Sequence, residues 1–337
     1  MAHNFQHIGI IGGGAWGTAL AMAVHRAGRG ALVWAHEADV AAAINQKHEN
    51  HVFLPGLRLD GAIRATHNLA DLAVCDVLLL VTPAQHARGI CRQLAGALQN
   101  KPVPVVICAK GMEQKTGRLL SEAVAEEMPG RLLAVLSGPS FAAEVARGLP
   151  TALAFATKDK AFGEAMMQSL GGRHFRLYLT DDVVGAQLGG AIKNVLAVAC
   201  GIAAGCKMGE NARAALITRG LAEMIRLGNA MGAQAETLMG LSGLGDLVLT
   251  CSSLQSRNMS LGAALGEGKK LSDILGHRAS VAEGVYTAAA AKALAVRHNV
   301  EMPIVAAVDG VLNNGAGLEA TIETLLARPM KAESNAG

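Results

Sequence analysis

Short apolar runs alternate with helical stretches over the first half of this 337-residue chain. The runs are rich in β-branched residues, and the segments between them carry apolar residues at helical spacing. A strand that is apolar throughout is covered on both faces, as strands of parallel sheets are. The alternation therefore predicts an N-terminal α/β domain with an open, doubly wound sheet of the Rossmann type. The six strand candidates are residues 7–12, 31–35, 77–81, 103–109, 132–136 and 151–156.

The second half of the chain has a different texture. Beyond residue 181 the strand-like runs end, and helical periodicity continues to residue 326, interrupted by turns rich in glycine or serine. A chain of this length suits two domains better than one core. We predict a Rossmann-type domain over residues 4–181, an all-α domain over residues 182–330 and a disordered tail over residues 331–337.

Charge and cysteine usage exclude several classes of function. The net charge of +3 is small and no basic stripe with interleaved aromatic residues occurs, so we expect no nucleic acid partner. The six cysteines form no Cys-x-x-Cys pair, and His48 and His51 have no further ligand cluster beside them, so we expect no metal site. No secretory signal pattern and no apolar run of roughly 20 residues is found. These features predict a cytoplasmic protein without a membrane span.

A glycine-rich hexamer follows the first strand candidate directly and opens a helical pattern. Gly12 would permit the tight turn, Gly14 would let the backbone approach a pyrophosphate, and Gly17 would allow close packing of helix on strand. The phosphates would lie at a helix N-terminus, where unpaired amides and the helix dipole favour negative charge. A plain glycine turn is the alternative, because the hexamer alone is a loose motif.

The end of the second strand bears on the choice between NAD and NADP. An acidic residue there binds the ribose hydroxyls, whereas a cationic or neutral donor tolerates a 2′-phosphate. The chain carries His36 and Glu37 side by side at this point. The sequence therefore leaves either cofactor open.

Two lysines lie where chemistry is expected. Lys110 follows a strand, and ligands of doubly wound sheets bind at the carboxyl ends of strands; an exposed surface lysine is the alternative. Lys193 lies in a helix that is apolar almost all round and hence buried. Desolvation lowers the pKa of a buried lysine towards the range of a general base. The alternative is a structural Lys193, neutralised by a carboxylate.

A third group of polar residues follows a glycine-rich turn in the helical half. Asp246 could orient Lys193 or bind a substrate hydroxyl, and Arg257 is the natural partner of a phosphate dianion, with Ser256 and Asn258 as further donors. The alternatives are a helix N-cap for Asp246 and a solvated charge for Arg257.

Taken in order, these segments resemble the bacterial NAD(P)-dependent glycerol-3-phosphate dehydrogenase family, and the resemblance covers nearly the whole chain. Each motif is loose, but their order and spacing are specific. The matching segments are the glycine-rich start and residues 109–111, 137–142, 189–194, 211–213, 217–221, 243–246, 256–258 and 281–284. Ala15 departs from the pattern, because many members carry serine there, which would add a side-chain donor at the pyrophosphate.

The resemblance implies hydride transfer between NAD(P)H and dihydroxyacetone phosphate, giving sn-glycerol 3-phosphate for phospholipid synthesis. It implies that Lys193 donates the proton in reduction and accepts it in oxidation. The implied substrate contacts are Lys110, Gly138, Ser140, Lys193, Asp246, Ser256, Arg257 and Asn258. The implied cofactor contacts, added to Gly12, Gly14 and Gly17, are Ala15, Trp16, His36, Lys110, Ala142, Arg257, Val281 and Glu283.

Two rival hypotheses follow from the same residues. A related two-domain dehydrogenase would act on a 3-hydroxy acid or a sugar acid and use Arg257 to bind a carboxylate. A dinucleotide sensor without catalysis would keep the nucleotide fold, although it would need no desolvated lysine. A homodimer is a further hypothesis, which rests only on the small residues of the helical half.

Overall fold

The computed structural model describes residues 5–99, 101–276 and 282–329. The chain forms two compact units. Residues up to Ala109 and from Leu120 to Val183 form unit 1, and Lys110–Leu119 together with residues from Val184 onward form unit 2. The tail that we expect to be disordered lies outside the described residues.

Unit 1 is an α/β unit around a parallel sheet. Its strands are β1 (His7–Ile11), β2 (Gly30–Trp34), β3 (Glu49–Asn50), β4 (Leu54–Arg58), β5 (Arg64–Thr66), β6 (Val77–Leu80), β7 (Val105–Ile107), β8 (Leu133–Ser137), β9 (Thr151–Ala156) and β10 (Phe175–Thr180). Its helices are α1 (Ala15–Arg26), α2 (Ala38–Lys47), α3 (Ala84–Ala97), α4 (Leu120–Glu127), α5 (Ala142–Ala146) and α6 (Lys160–Leu170), with a 3₁₀ helix at Leu69–Val74.

The main sheet has the strand order β10-β9-β8-β7-β6-β1-β2-β5, and β3 and β4 form a separate hairpin. The chain moves outward from β1 to β2 on one side and then returns to β6 on the other side of β1. The order therefore reverses between β1 and β6, which is where ligands bind in such sheets. This architecture confirms the predicted Rossmann-type domain.

One part of the sheet departs from a purely parallel arrangement. β9 pairs with β8 in antiparallel orientation, and β10 then runs parallel to β9. In β10 the buried Phe175 and Leu177 alternate with the exposed Arg176 and Tyr178, as on an edge strand with one covered face. The continuous apolar run that identifies the central strands is therefore missing from β10.

Unit 2 is helical. Its helices are α7 (Val183–Gly205), α8 (Glu210–Ala230), α9 (Ala235–Met239), α10 (Asp246–Cys251), α11 (Arg257–Gly266), α12 (Leu271–Gly276), α13 (Glu283–Arg297), α14 (Pro303–Asn313) and α15 (Leu318–Leu326), with a π-helical turn at Leu241–Gly245. The central helix α7 is buried along nearly its whole length. The all-α second domain is thereby confirmed as a fold class.

Within the described residues, α7 is the one helix that is long and apolar enough to cross a membrane. Its most apolar window is 89% buried, as in the core helix of a globular unit.

The segment Lys110–Leu119 corrects the predicted domain limits, which counted it with the first domain. Met112 and Leu119 are buried in the core of unit 2 and pair with each other in an isolated β-bridge. The chain thus enters unit 2 directly after β7 and returns to unit 1 at α4. Such an excursion leaves no mark in local periodicity, because it depends on contacts with helices that come much later in the chain.

Candidate active site

The glycine-rich turn after β1 has the backbone geometry that the sequence predicts. Gly12 has a φ of +130°, and a Cβ at Gly17 would lie 1.8 Å from the carbonyl oxygen of Gly12. Only glycine fits either position, the first for its backbone conformation and the second for the approach of α1 to the turn. A Cβ at Gly14, by contrast, would meet nothing within 4 Å. The turn is therefore closed on its protein side and open at Gly14.

Helix α1 begins directly at this open position. Gly14 is its N-cap, and Thr18 N donates the first intrahelical bond to Gly14 O at 2.9 Å. No side chain among the described residues caps this terminus, and its first turn carries no acid. Ala15 therefore contributes a backbone amide and no competing oxygen. The Trp16 indole donates to Cys108 O at 3.2 Å, which fixes its ring beside the end of β7.

Two buried hydroxyls lie at the carboxyl edge of the same sheet, at the ends of β6 and β8, the two strands that flank β7. Thr82 lies two residues after β6, and Ser137 is the last residue of β8. Both side chains are buried, and neither hydroxyl has a hydrogen-bond partner among the described residues. A buried polar group without a partner is costly, so it often marks a place for a ligand. The sequence analysis missed Thr82, because a single hydroxyl after a strand is not a motif.

The other residues of unit 1 that were expected to contact cofactor or substrate lie after β2 and β8. His36 and Glu37 are both exposed, so the structure offers a cationic or neutral group and an acid side by side. Gly138 has a φ of +143°, and Ser140 Oγ donates to Gly138 O at 2.9 Å. Ala142 begins the short helix α5. A glycine turn open at an uncapped helix N-terminus, with orphaned hydroxyls on the same sheet edge, fits a dinucleotide.

Lys193 lies in the middle of α7, and only 6% of the residue is exposed. Its ammonium group donates to Asp246 Oδ1 and, at 3.0 Å, to Thr250 Oγ1. Burial lowers the pKa of Lys193 to about 8, because removal of water penalises the charged form more than the nearby Asp246 carboxylate stabilises it. The neighbouring Lys110 lowers the same pKa further.

Asp246 is the centre of this cluster. Only 1% of the residue is exposed, and its second oxygen accepts from Lys110 Nζ at 2.8 Å. Two lysines thus share one carboxylate, so the three groups carry a net charge of +1 when both lysines are protonated. The N-cap alternative for Asp246 is wrong, since the cap of α10 is Gly245 and makes no side-chain cap bond. The exposed-lysine alternative for Lys110 is also wrong.

A second chain of hydrogen bonds runs beside the ion pairs. Asn194 donates from Nδ2 to Lys110 O at 3.1 Å, and its Oδ1 accepts from Asn258 Nδ2 at 2.9 Å. Asn258 Oδ1 in turn accepts from Gly284 N, next to Glu283 at the start of α13. Asn258 was expected to contact substrate, whereas its bonding role and that of Asn194 were not foreseen.

The expected phosphate partners lie at the start of α11. Ser256 is buried as its N-cap, and its Oγ accepts from Met259 N at 3.2 Å. Arg257 is the first helical residue and is partly exposed, while burial of its guanidinium lowers its pKa against the opposing effect of Glu283. Val281 lies outside the described residues. Of the expected substrate contacts in unit 2, the structure joins Lys110, Lys193, Asp246 and Asn258 in one hydrogen-bond network, in which Asn194 links Asn258 to Lys110.

The described residues contain no group of three or more His, Cys, Asp or Glu side chains suited to a metal ion. None of the six cysteines, all of which lie in the described ranges, forms a disulfide.

A Rossmann-type unit with a turn shaped for a dinucleotide, followed by a helical unit around a buried lysine, defines a two-domain nicotinamide-dependent dehydrogenase. Comparison with known proteins narrows this class. Two family models match, the N-terminal domain of NAD-dependent glycerol-3-phosphate dehydrogenase over residues 7–163 and its C-terminal domain over residues 182–323.

Individual relatives match over nearly the full chain. The glycerol-3-phosphate dehydrogenase [NAD(P)+] of Parvibaculum lavamentivorans is 54% identical over 334 residues, which are 99% of this chain and 100% of that protein. The enzyme of the same name from Rhodospirillum rubrum is 55% identical, with 99% and 95% covered. The crystal structure of glycerol-3-phosphate dehydrogenase from Coxiella burnetii has a TM-score of 0.92 and 39% identity, with 96% and 99% covered.

The chain belongs to the NAD-dependent glycerol-3-phosphate dehydrogenase family. It is an NAD(P)-dependent oxidoreductase of glycerol 3-phosphate. The resemblance seen in the sequence, the enzyme class and the cofactor type, NAD or NADP, are thereby confirmed. Family membership favours this activity over a hydroxy-acid dehydrogenase or a silent sensor.

Proposed function

We propose that Lys193 is the acid–base group of this dehydrogenase, which interconverts dihydroxyacetone phosphate and sn-glycerol 3-phosphate. The observation that carries the proposal is a buried ammonium group whose pKa is lowered to about 8. A general acid or base works best when its pKa lies near the working pH. In reduction Lys193 donates a proton to the carbonyl oxygen, and in oxidation the neutral amine accepts the hydroxyl proton.

The charges around Lys193 support this role. Negative charge develops on the substrate oxygen during reduction, and Lys193 and Lys110 carry one more positive charge than Asp246 neutralises. Donors that are already in place in a site with little water stabilise such charge without reorganising. Two of the three ammonium protons of Lys193 are bonded within the described residues, to Asp246 and Thr250. The third is the proton that we assign to the substrate oxygen.

When bound, the nicotinamide cofactor would supply the hydride in reduction and accept it in oxidation. For the dinucleotide we propose a site at the turn of Gly12, Gly14 and Gly17, where the amides of Ala15 and Trp16 face the phosphates. His36 and Glu37 are both exposed after β2, where they would bind the ribose, and this pair suits either cofactor. The further cofactor contacts that we propose are Lys110, Ala142, Arg257, Val281 and Glu283.

For the substrate phosphate we propose Arg257 as the main partner. Its fork of donors matches phosphate oxygens, and its permanent positive charge complements a phosphate dianion. Ser256 keeps its hydroxyl proton, because its oxygen acts as an acceptor in the N-cap bond. Asn258 keeps one amide proton beyond the one that Asn194 accepts. Gly138 and Ser140 complete the proposed substrate contacts. Gripping the phosphate positions the reacting carbon.

Two measurements test the assignment. Oxidation of NADH and NADPH should be followed with dihydroxyacetone phosphate and, for comparison, with keto acids. We expect turnover with the phosphorylated ketone; turnover with keto acids alone would contradict the proposed substrate. Lys193→Met should lose kcat by at least about 100-fold while NADH binding is kept.

Lys292→Met is a matched control, because Lys292 pairs with the buried Asp309 in the same unit, at 2.9 Å. It should leave kcat near the native value. A Lys193→Met variant with ordinary kcat would remove Lys193 from the chemistry.

The cellular setting and the assembly are also proposals. We propose that the enzyme works in the cytoplasm, in the reducing direction, and supplies glycerol phosphate for phospholipids. The surface of α15 supports a homodimer. This helix has no buried residue, and its Leu326 is 66% exposed, so a second chain could cover it. Light scattering should give the mass of two chains; the mass of one chain would contradict the dimer.

A further inference from the structure

Asn50 connects the short strand β3 to the glycine-rich turn. Its side chain is buried, with 1% of the residue exposed, so it cannot itself reach a ligand. Nδ2 donates to Gly13 O at 2.7 Å and to Thr18 Oγ1 at 2.8 Å, and Oδ1 accepts from Phe53 N at 3.1 Å. Both protons of this carboxamide are therefore committed, and its oxygen is engaged as well.

These bonds fix two successive peptide groups. In a planar trans peptide the C=O and the following N–H point in opposite directions. Because Gly13 O is held towards Asn50, the amide of Gly14 points away from Asn50. Gly14 O accepts from both the amide and the hydroxyl of Thr18, so the amide of Ala15 points out of the helix N-terminus. Thr18 Oγ1 thus passes the constraint from Asn50 to the second peptide.

The turn is open at Gly14 and closed at Gly13. A Cβ at Gly14 would meet nothing within 4 Å, whereas a Cβ at Gly13 would lie 2.7 Å from Ala35. Amides that are already aimed at an anion bind it without the cost of ordering the turn first.

We propose that Asn50 is a positioning residue for the dinucleotide, which sets cofactor affinity by locking the Gly13 and Gly14 carbonyls on the protein side of the turn. The inference rests on the proposed cofactor site at this turn. Asn50 is not a catalytic residue, since it touches neither cofactor nor substrate. Its removal should therefore raise the Kd for NADH and leave the affinity for dihydroxyacetone phosphate unchanged.

The test is a fluorescence titration of the full-length protein with NADH, which reports binding without turnover. Asn50→Ala should raise the Kd for NADH on the order of 10-fold, because NADH would have to order the released turn, at a cost comparable to the net contribution of one hydrogen bond. Its KM for dihydroxyacetone phosphate, measured at saturating NADH, should stay within about twofold of the native value.

Asn45→Ala is the matched control. Asn45 also binds backbone through both ends of its carboxamide, at Ala65 N and Ala65 O, in the same unit but away from the turn. Its NADH Kd should remain native. An equal rise in Asn45→Ala, or an unchanged Kd in Asn50→Ala, would overturn the proposal.

Variants of Thr18 provide an independent test, which still decides the proposal if Asn50→Ala does not fold. Thr18→Val removes the hydroxyl that links Asn50 to Gly14 O, and Thr18→Ser retains it. We expect a raised NADH Kd in the valine variant and a near-native Kd in the serine variant. Equal affinities in the two variants would overturn the proposal.

Gly14→Val separates this inference from the cofactor site itself. The backbone at Gly14 is extended, with φ −70° and ψ 179°, and the side chain would fill only the open space. NADH binding should be lost in this variant. If Gly14→Val binds NADH normally, the proposed cofactor site fails and the inference fails with it. If Gly14→Val loses NADH while Asn50→Ala keeps it, only the inference fails.

Discussion

Replacing Asp246 by Asn removes the one carboxylate that holds both lysines of the cluster. The side chain keeps its shape, so the change is one of charge. At an effective dielectric constant of about 20, charges 2.8 Å apart, the distance from Lys110 Nζ to Asp246 Oδ2, attract by about 6 kcal/mol. An energy of this size corresponds to about four pH units, which overstates the fall in the pKa of Lys193, because water and side chains relax around a lost charge.

A fall of one pH unit already has a measurable effect. The pKa of Lys193 would move from about 8 to about 7 or below, since the Asp246 charge that raises it is gone and Lys110 still lowers it. At pH 8 the protonated fraction of Lys193 would fall from about one half to about one tenth. As pH rises, the reductive kcat should therefore begin to fall about one pH unit lower than in the native enzyme.

The assay is the pH profile of NADH oxidation with saturating dihydroxyacetone phosphate. Asp309→Asn is the control, because Asp309 is also buried and pairs with Lys292 in the same unit. It should reduce stability, because the buried carboxylate also accepts from Asn313 and Asn314, and leave the profile unchanged. A native profile in Asp246→Asn would refute the electrostatic reasoning.

Two further predictions concern groups outside this cluster. Arg257→Ala should raise the KM for dihydroxyacetone phosphate at least about 10-fold, because a charge-assisted contact to phosphate is lost; an unchanged KM in steady-state kinetics would remove Arg257 from the phosphate site. Burial raises the pKa of Glu223, whose carboxylate accepts from Ile304 N and Val305 N, to about 7. Because the folded pKa is raised, the stabilising contribution is complete below the unfolded pKa of about 4.5 and is lost as pH rises through about 7. Glu223→Gln should therefore flatten the fall in unfolding free energy between pH 5 and pH 7.5 in denaturant titrations, and a slope equal to the native one would contradict the burial argument.

The sequence predicted those parts of the fold that depend on local pattern. β1, the glycine turn and α7 each have a signature within a few residues: an apolar run, Gly12 and Gly17, and a helix that is apolar on all sides. The burial of Lys193 followed from α7 alone, since a residue inside such a helix has no exposed face.

The sequence did not reveal the ion pairs between residues that are far apart in the chain. The pairing of Lys110 with Asp246 joins residues 136 positions apart, so neither residue's neighbours in the chain reveal it. Lys193 is indeed paired with a carboxylate, as the structural alternative held, yet desolvation still keeps its pKa low. Burial and the neighbouring charges together set the pKa of Lys193; the chain alone predicted the burial but not the pairing of Lys110 with the same carboxylate.

Asn50 was missed for a different reason. Its strand β3 has only two residues and lies in a polar stretch between α2 and β4, where no periodicity can be measured. The reversed direction of β9 escaped for a similar reason, because its apolar run looks like that of a parallel strand.

The protonation of Lys193 itself can be observed directly. Side-chain nitrogen NMR of protein labelled at lysine, with the signal assigned by its absence from Lys193→Arg, gives the pKa of this one ammonium group. The structure predicts a titration midpoint of about 8. A midpoint near 10.5, the ordinary value for lysine, would contradict the claim that a desolvated amine serves as the proton donor.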